Sequence, residues 1–155
     1  MGYESHMDDY RKAYAKWETK VLTKIGLFVE SDAKLRVKTG QYFSDEFSEQ
    51  KGKVGGNLRS SIGNKVDQSE HVVHVGTNVE YALWVEKGTE PHLIVPRVKK
   101  MLHWADKSGR GYLAHAVVHP GSKAYPFLTP AVENNVSKLQ QLVDNTPFDE
   151  GNNEP

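Results

Sequence analysis

The chain has 155 residues, 37% of them hydrophobic, with 20 basic and 20 acidic side chains and no cysteine. That length suits one domain carrying an arm, and the absence of cysteine excludes disulfides, thiol catalysis and cysteine-ligated zinc. Zero net charge gives no global pull toward nucleic acid or anionic membrane, and no run approaches the ~18 apolar residues that span a bilayer.

The charge is nevertheless uneven. Residues 51–132 hold eleven basic and six acidic side chains, and residues 133–155 hold one basic and five acidic. The middle is basic and the end acidic. Ser5-His6-Met7 is a common cloning remnant, so the native start is expected at Met7 and the fold is read from Asp8.

Residues 8–38 predict one long helix. Tyr10, Tyr14, Trp17, Val21, Ile25 and Phe28 recur at spacings of three and four, which stacks them on one stripe. Leu22, Leu27 and Val29 broaden that stripe, and Leu35 continues it. Asp8 and Asp9 suit its N-terminal end, Lys38 its last turn, and Thr39-Gly40 its stop. A helix of that length either kinks or reaches past the body.

Tyr42, Phe43 and Phe47 allow one more helical turn. Lys51 to Asn57, with three glycines, predicts a loop, and its spacing is not that of a phosphate-binding loop. Leu58–Val66 and His71–Gly76 predict a β-hairpin. Residues 79–86 fit either a short helix or an irregular strand. Leu93-Ile94-Val95 is a short strand closed by Pro96, Lys99–Ala105 a short helix with Leu102 inward, and Tyr112–Val118 another strand. Pro126–Val143 contains the final helix, with Leu128, Val132, Val136, Leu139 and Val143 on one face and Pro130 in the first turn. After Asp144 the composition predicts disorder.

The expected fold is α+β: a long N-terminal helix, a small antiparallel sheet, a short middle helix and a C-terminal helix packed on the sheet. The expected organisation is a single domain over residues 8–144 and an acidic tail over 145–155.

The chemistry-bearing residues are sparse. His92, His103, His115 and His119, with Asp106 or Glu90, have no close metal-ligand spacing, and Ser60 and Ser61 lack the nucleophile-elbow glycines. No catalytic, cofactor-binding or metal-ligating residue is assigned, and no enzyme activity is expected. In Tyr81–His92, Tyr81 and Trp84 suit core or interface, and both are expected to hold the fold, with Trp84 in the core. Glu86 suits an exposed position, turn N–H groups or a basic partner such as Arg59. Gly88 and Gly121 suit backbone angles that other residues resist.

Four blocks, in order, resemble the gene-product-10-like family of tailed-bacteriophage proteins. Gly56-Asn57-Leu58-Arg59-Ser60-Ser61-Ile62 is similar to its threonine-glycine-x-leucine-arginine-x-serine-isoleucine segment. Val75 to Ala82, running into Val85-Glu86-Lys87-Gly88-Thr89, resembles its tyrosine-alanine and glutamate-x-glycine-threonine block. Ile94-Val95-Pro96 with the basic residues after it resembles the next. Val118-His119-Pro120-Gly121 and Pro126 to Ala131 resemble its C-terminal signature. Gly56 stands where a threonine-glycine pair is usual, and the neighbouring proline is missing.

The resemblance implies a structural virion protein of the head–tail junction, a neck or tail-completion subunit. It would associate with itself into a ring and meet head-completion, portal or tail-tube proteins. Its place would be the virion, and the host cytoplasm during assembly. Arg97, Lys99, Lys100, Lys107 and Arg110 form a basic cluster suited to a DNA backbone, which makes a small nucleic-acid-binding module the alternative.

Overall fold

The computed structural model describes residues 3–37, 54–106 and 108–149. Its elements are α1 (Tyr3–Arg36), α2 (Val54–Ser61), β1 (Gly63–Asp67), β2 (Val72–Gly76), α3 (Ala82–Lys87), β3 (His92–Ile94), β4 (Leu102–Ala105), β5 (Gly111–Ala114), β6 (Val117–His119), α4 (Thr129–Glu133) and α5 (Val136–Asp144). The fold is α+β. The small sheet takes the form of three two-stranded antiparallel ribbons, β1–β2, β3–β6 and β4–β5.

α1 is about 50 Å long. It starts at Tyr3, so Asp8 and Asp9 lie inside it, where they face Arg11 at 3.5 Å and Lys12 at 3.8 Å. Both pairs are exposed and worth little. The expected stop at Thr39-Gly40 and the turn at Tyr42–Phe47 lie outside the described residues.

The side of α1 that packs is Ala13, Trp17, Val21, Ile25, Val29, Ala33 and Val37, all buried or half-buried. A step of four exceeds the 3.6-residue turn, so this line winds slowly around the helix. It departs from the aromatic stripe at both ends. Tyr10 and Tyr14 are largely exposed, and Leu27 and Leu35 point outward.

The β1–β2 hairpin lies across α1 at Gly26. A Cβ there would stand 2.7 Å from Val73 Cγ2 and 2.9 Å from Asn64 Oδ1. Close by, Asn64 donates to the Glu30 carboxylate, which also takes Lys34 Nζ at 2.5 Å. Lys34, then Asn64, hold Glu30 below the usual carboxylate range. The hairpin turn is pinned too. Asp67 Oδ1 accepts the Ser69 and Glu70 N–H groups, His71 Nδ1 lies 2.8 Å from Glu18, and Gln68 donates to Thr19. Gly26→Leu is expected to destabilise the fold by roughly 2 kcal/mol in urea unfolding. Overpacking against Val73 outweighs the ~1 kcal/mol of helix propensity that removing a glycine returns.

α2 corrects two expectations. Residues 54–57 are helical where a loop is expected, and the strand placed from Leu58 begins only at Gly63. Leu58 and Ile62 are four apart and both lie in the core, so burial of one helical face overrides the low propensity of the glycines. Ser60 and Ser61 donate their hydroxyls to the carbonyls of Asn57 and Leu58, which keeps them satisfied in the helix.

The core gathers Val29, Ala33 and Val37 from α1 with Leu58, Ile62, Ala82, Phe127 and Ala131. Leu128 and Leu139 pack against it beside Val75 of β2, so the C-terminal helices reach both α1 and the hairpin. The final helix is broken into α4 and α5. Asn135 is buried, and its amide donates to Ala131 O at 3.1 Å and to Asp32 Oδ2 at 3.2 Å. Val132 and Val136, expected on the inner face, are exposed, and Ala131 and Asn135 are buried in their place. Pro130 is in the first turn of α4, as expected.

Of the segment after Asp144, residues 145–149 lie against α1. Trp17 Nε1 donates to the Thr146 carbonyl and Lys24 Nζ to the Thr146 hydroxyl, both at 2.9 Å. The Phe148 ring lies 5.5 Å from Tyr10 and 6.0 Å from Trp17.

Candidate assembly interface

Between Gly88 and Gly121 the chain leaves the body and returns. The two glycines form the root of that excursion. Both have positive φ, 72° and 86°. A Cβ on Gly88 would stand 2.5 Å from the Ser122 carbonyl, and one on Gly121 2.2 Å from the Thr89 carbonyl. The sequence reading of both glycines therefore holds, and for a second reason besides φ: the two strands cross too closely for any side chain. Thr89 and Ser122 exchange backbone hydrogen bonds of 3.0 Å in each direction, and their hydroxyls lie 3.0 Å apart.

Glu86 ties this root to the body. Its Oε2 accepts the Phe127 N–H at 2.7 Å and the Leu128 N–H at 3.0 Å, and its Oε1 accepts the Thr129 N–H at 2.9 Å. Burial pushes the carboxyl up, but the N–H groups of Phe127, Thr129 and Leu128 outweigh it and hold the group below the usual carboxylate range. Of the three roles open to Glu86, it takes the turn N–H groups rather than Arg59. Tyr125 N–H donates to the Val85 carbonyl at 2.8 Å, so the returning strand is held at two successive points.

Beyond the root, β3 pairs with β6 in the register His92↔His119, Leu93↔Val118 and Ile94↔Val117. Farther out, β4 pairs with β5 from Leu102↔Ala114 to Ala105↔Gly111. The helix expected over Lys99–Ala105 is therefore bends followed by a strand, and the strand expected over Tyr112–Val118 is two strands. Among the described elements none packs substantially on this segment to receive a helical face, whereas Trp104 and Tyr112 stack across the strands at 5.7 Å. Arg110 lies 5.7 Å over the Tyr112 ring, and Asp106 closes the tip by accepting the N–H groups of Ser108 and Arg110. Ser108 first, with Tyr112 and the backbone, holds Asp106 low.

Among the described elements, these strands make their substantial contacts with each other. Leu93, Val95, Leu113 and Val118 are more than half exposed, and Val98 is 96% exposed. Leu83 and Trp84, on α3 beside the root, are each 57% exposed. Trp84 is thus not core, whereas Tyr81 is half-buried and packs on the core. Because Leu93 and Val98 are largely exposed, Leu93→Ser and Val98→Ser are expected to leave urea-unfolding stability within ~0.5 kcal/mol of the parent.

Arg97, Lys99, Lys100 and Arg110 are all exposed on the ribbon, and Lys107 lies outside the described residues. Of these four histidines, His92 and His119 meet, with ring centroids 5.0 Å apart, while His103 lies on β4 opposite Leu113 and His115 follows the end of β5. Among the described residues, the grouping with metal-ligand proximity is Asp67, Glu70 and His74, at the other hairpin. Asp67 is already committed to its turn. Sequence reasoning finds the root residues but misses the ribbon as a unit. Its signal is two glycine-punctuated ends around short apolar strands with no face periodicity.

A family model described as "Bacteriophage HK97-gp10, putative tail-component" matches residues 4–88. No curated protein and no solved structure matches the chain. The match covers α1, α2, the first hairpin and α3, and ends at Gly88, the foot of the ribbon. The chain belongs to this HK97-gp10-like family of phage tail-related structural proteins.

Proposed function

We propose that the protein is a neck or tail-completion subunit of the phage head–tail junction. Copies join into a ring, and the ring meets head-completion, portal or tail-tube proteins in the virion after assembly in the host cytoplasm. Residues 8–144 act as one domain. The observation that carries this reading is the ribbon between Gly88 and Gly121, whose apolar side chains Leu93, Val95, Val98 and Val118 are more than half exposed. A soluble body gains nothing by presenting Leu93, Val95, Val98 and Val118 to water, but a subunit gains interface area from them. The contacts around the ring are heterologous, because an isologous contact closes as a dimer.

Native mass measured across a concentration series, with and without the matching portal or tail-tube protein, tests this. A ring, or a complex with either protein, is expected. A chain that stays monomeric and binds neither component overturns the reading.

A second reading rests on the exposed cations Arg97, Lys99, Lys100 and Arg110. As a DNA-contacting surface they would bind duplex at low salt and release it steeply as salt rises, by counterion release. Absence of binding at low salt excludes it.

A further inference from the structure

The ribbon and the C-terminal segment carry opposite charge. Residues 89–120 hold five basic side chains and two acidic, and residues 133–155 hold five acidic and one basic. Of the two ribbon acids, Asp106 is tied up in its own tip turn and Glu90 stands at the root. The ribbon strands make their substantial contacts with each other, while α4 and α5 make theirs with α1.

The outer side of α4 and α5 also has the right composition for a partner of the ribbon. Val132 and Val136 are exposed, at 45% and 63%, with Glu133 beside them and Asp144 farther along, both exposed. A valine pair bordered by acids matches an apolar ribbon bordered by Lys99 and Lys100. Ribbon against ribbon is disfavoured, because like charges would face each other.

We infer that the ribbon of one subunit docks on the α4–α5 face of a second copy. Leu93, Val95 and Val98 meet Val132 and Val136, and Lys99 and Lys100 meet Glu133 and Asp144. The inference rests on the ring reading above and gives that ring its two complementary surfaces. The contact is head-to-tail, since each copy offers one ribbon and one acidic face.

Two charge-reversed full-length chains test it. One carries Lys99→Glu and Lys100→Glu, the other Glu133→Lys and Asp144→Lys. All four positions are exposed, so circular dichroism is expected to show both folded. Self-association is read by sedimentation at low salt with the matching portal and tail-tube proteins present. Each variant alone is expected to associate at least ~10-fold more weakly than the parent, because like charges face at every junction. An equimolar mixture is expected to recover parental association, because an alternating ring restores opposite charge at both kinds of junction.

If the parent assembles and either variant assembles as well as it does, the docking surfaces are wrong and the ring reading stands. A mixture that stays apart, with both variants folded, likewise overturns the docking surfaces and leaves the ring reading standing. A parent that neither assembles nor binds the junction proteins overturns both.

Discussion

Replacing Glu86 with alanine is expected to lower the unfolding free energy by roughly 3 kcal/mol, read as a lower urea midpoint at unchanged slope. Three backbone N–H groups lose their acceptor at once, and those of Phe127 and Leu128 are partly buried. A hydrogen bond to a charged group contributes about 1.5–3 kcal/mol. Three of them would give more than that loss, but Glu86 is only half-buried and water can reach the freed amide of Thr129, which lowers the total. Phe127, fully buried in the core, is positioned by the first of these bonds, so the effect reaches packing as well.

The pH dependence has a defined sign. The folded-state pKa of Glu86 is lowered from an ordinary value of about 4.5. The stability it contributes is therefore fully present above that value and is lost as pH falls through the folded pKa. Against Glu86→Gln, the parent is expected to hold a constant advantage from neutral pH down to about 5. That advantage shrinks on further acidification. An advantage that grows below pH 4.5 would contradict the assignment of Glu86 as the charged acceptor.

The α+β class and α1 are legible because large apolar residues repeat at helical spacing, and the hairpin because His71–Val75 is β-branched between turn signals. The buried line of α1 is harder to read, since Ala13, Gly26 and Ala33 are buried in it beside the larger side chains. Small residues mark close approach, and approach depends on what arrives from elsewhere in the chain. α2 illustrates the converse: Gly55-Gly56 argues for a loop, and only the burial of Leu58 and Ile62 together, against α1 and Phe127, makes the helix the lower-energy choice. Trp84 reads toward core because large aromatics are more often inside. An interface residue has the same composition signal as a core residue until its neighbours are known. Asn135 hides for a related reason. A polar residue in an apolar helical run reads as outward, yet its amide finds Asp32, more than a hundred residues earlier.

Gly121→Ala is expected to open the root of the ribbon and to lower stability by roughly 3 kcal/mol. A non-glycine residue at a φ of 86° is strained before any contact is considered. The added Cβ would stand 2.2 Å from the Thr89 carbonyl and 2.9 Å from the Glu90 carbonyl carbon. These are backbone atoms, so no rotamer change relieves the clash and the two strands must separate. Separation breaks the Thr89–Ser122 pair of hydrogen bonds. It also pulls on the Tyr125 N–H···Val85 bond and, one step farther, on the amides that Glu86 holds. Hydrogen exchange is the direct readout: the Thr89 and Ser122 amides are expected to lose protection, while Val73 and Val75 in the first hairpin keep theirs. Gly88→Ala attacks the same crossing from the other strand, with Ser122 O at 2.5 Å and Ala124 N at 2.8 Å from the new Cβ. Once one substitution has parted the strands, the other has little left to displace, so the double variant is expected to cost clearly less than the two single losses added. Strict additivity would mean that Gly88 and Gly121 act at independent places, and the shared root of the ribbon would then have to be abandoned.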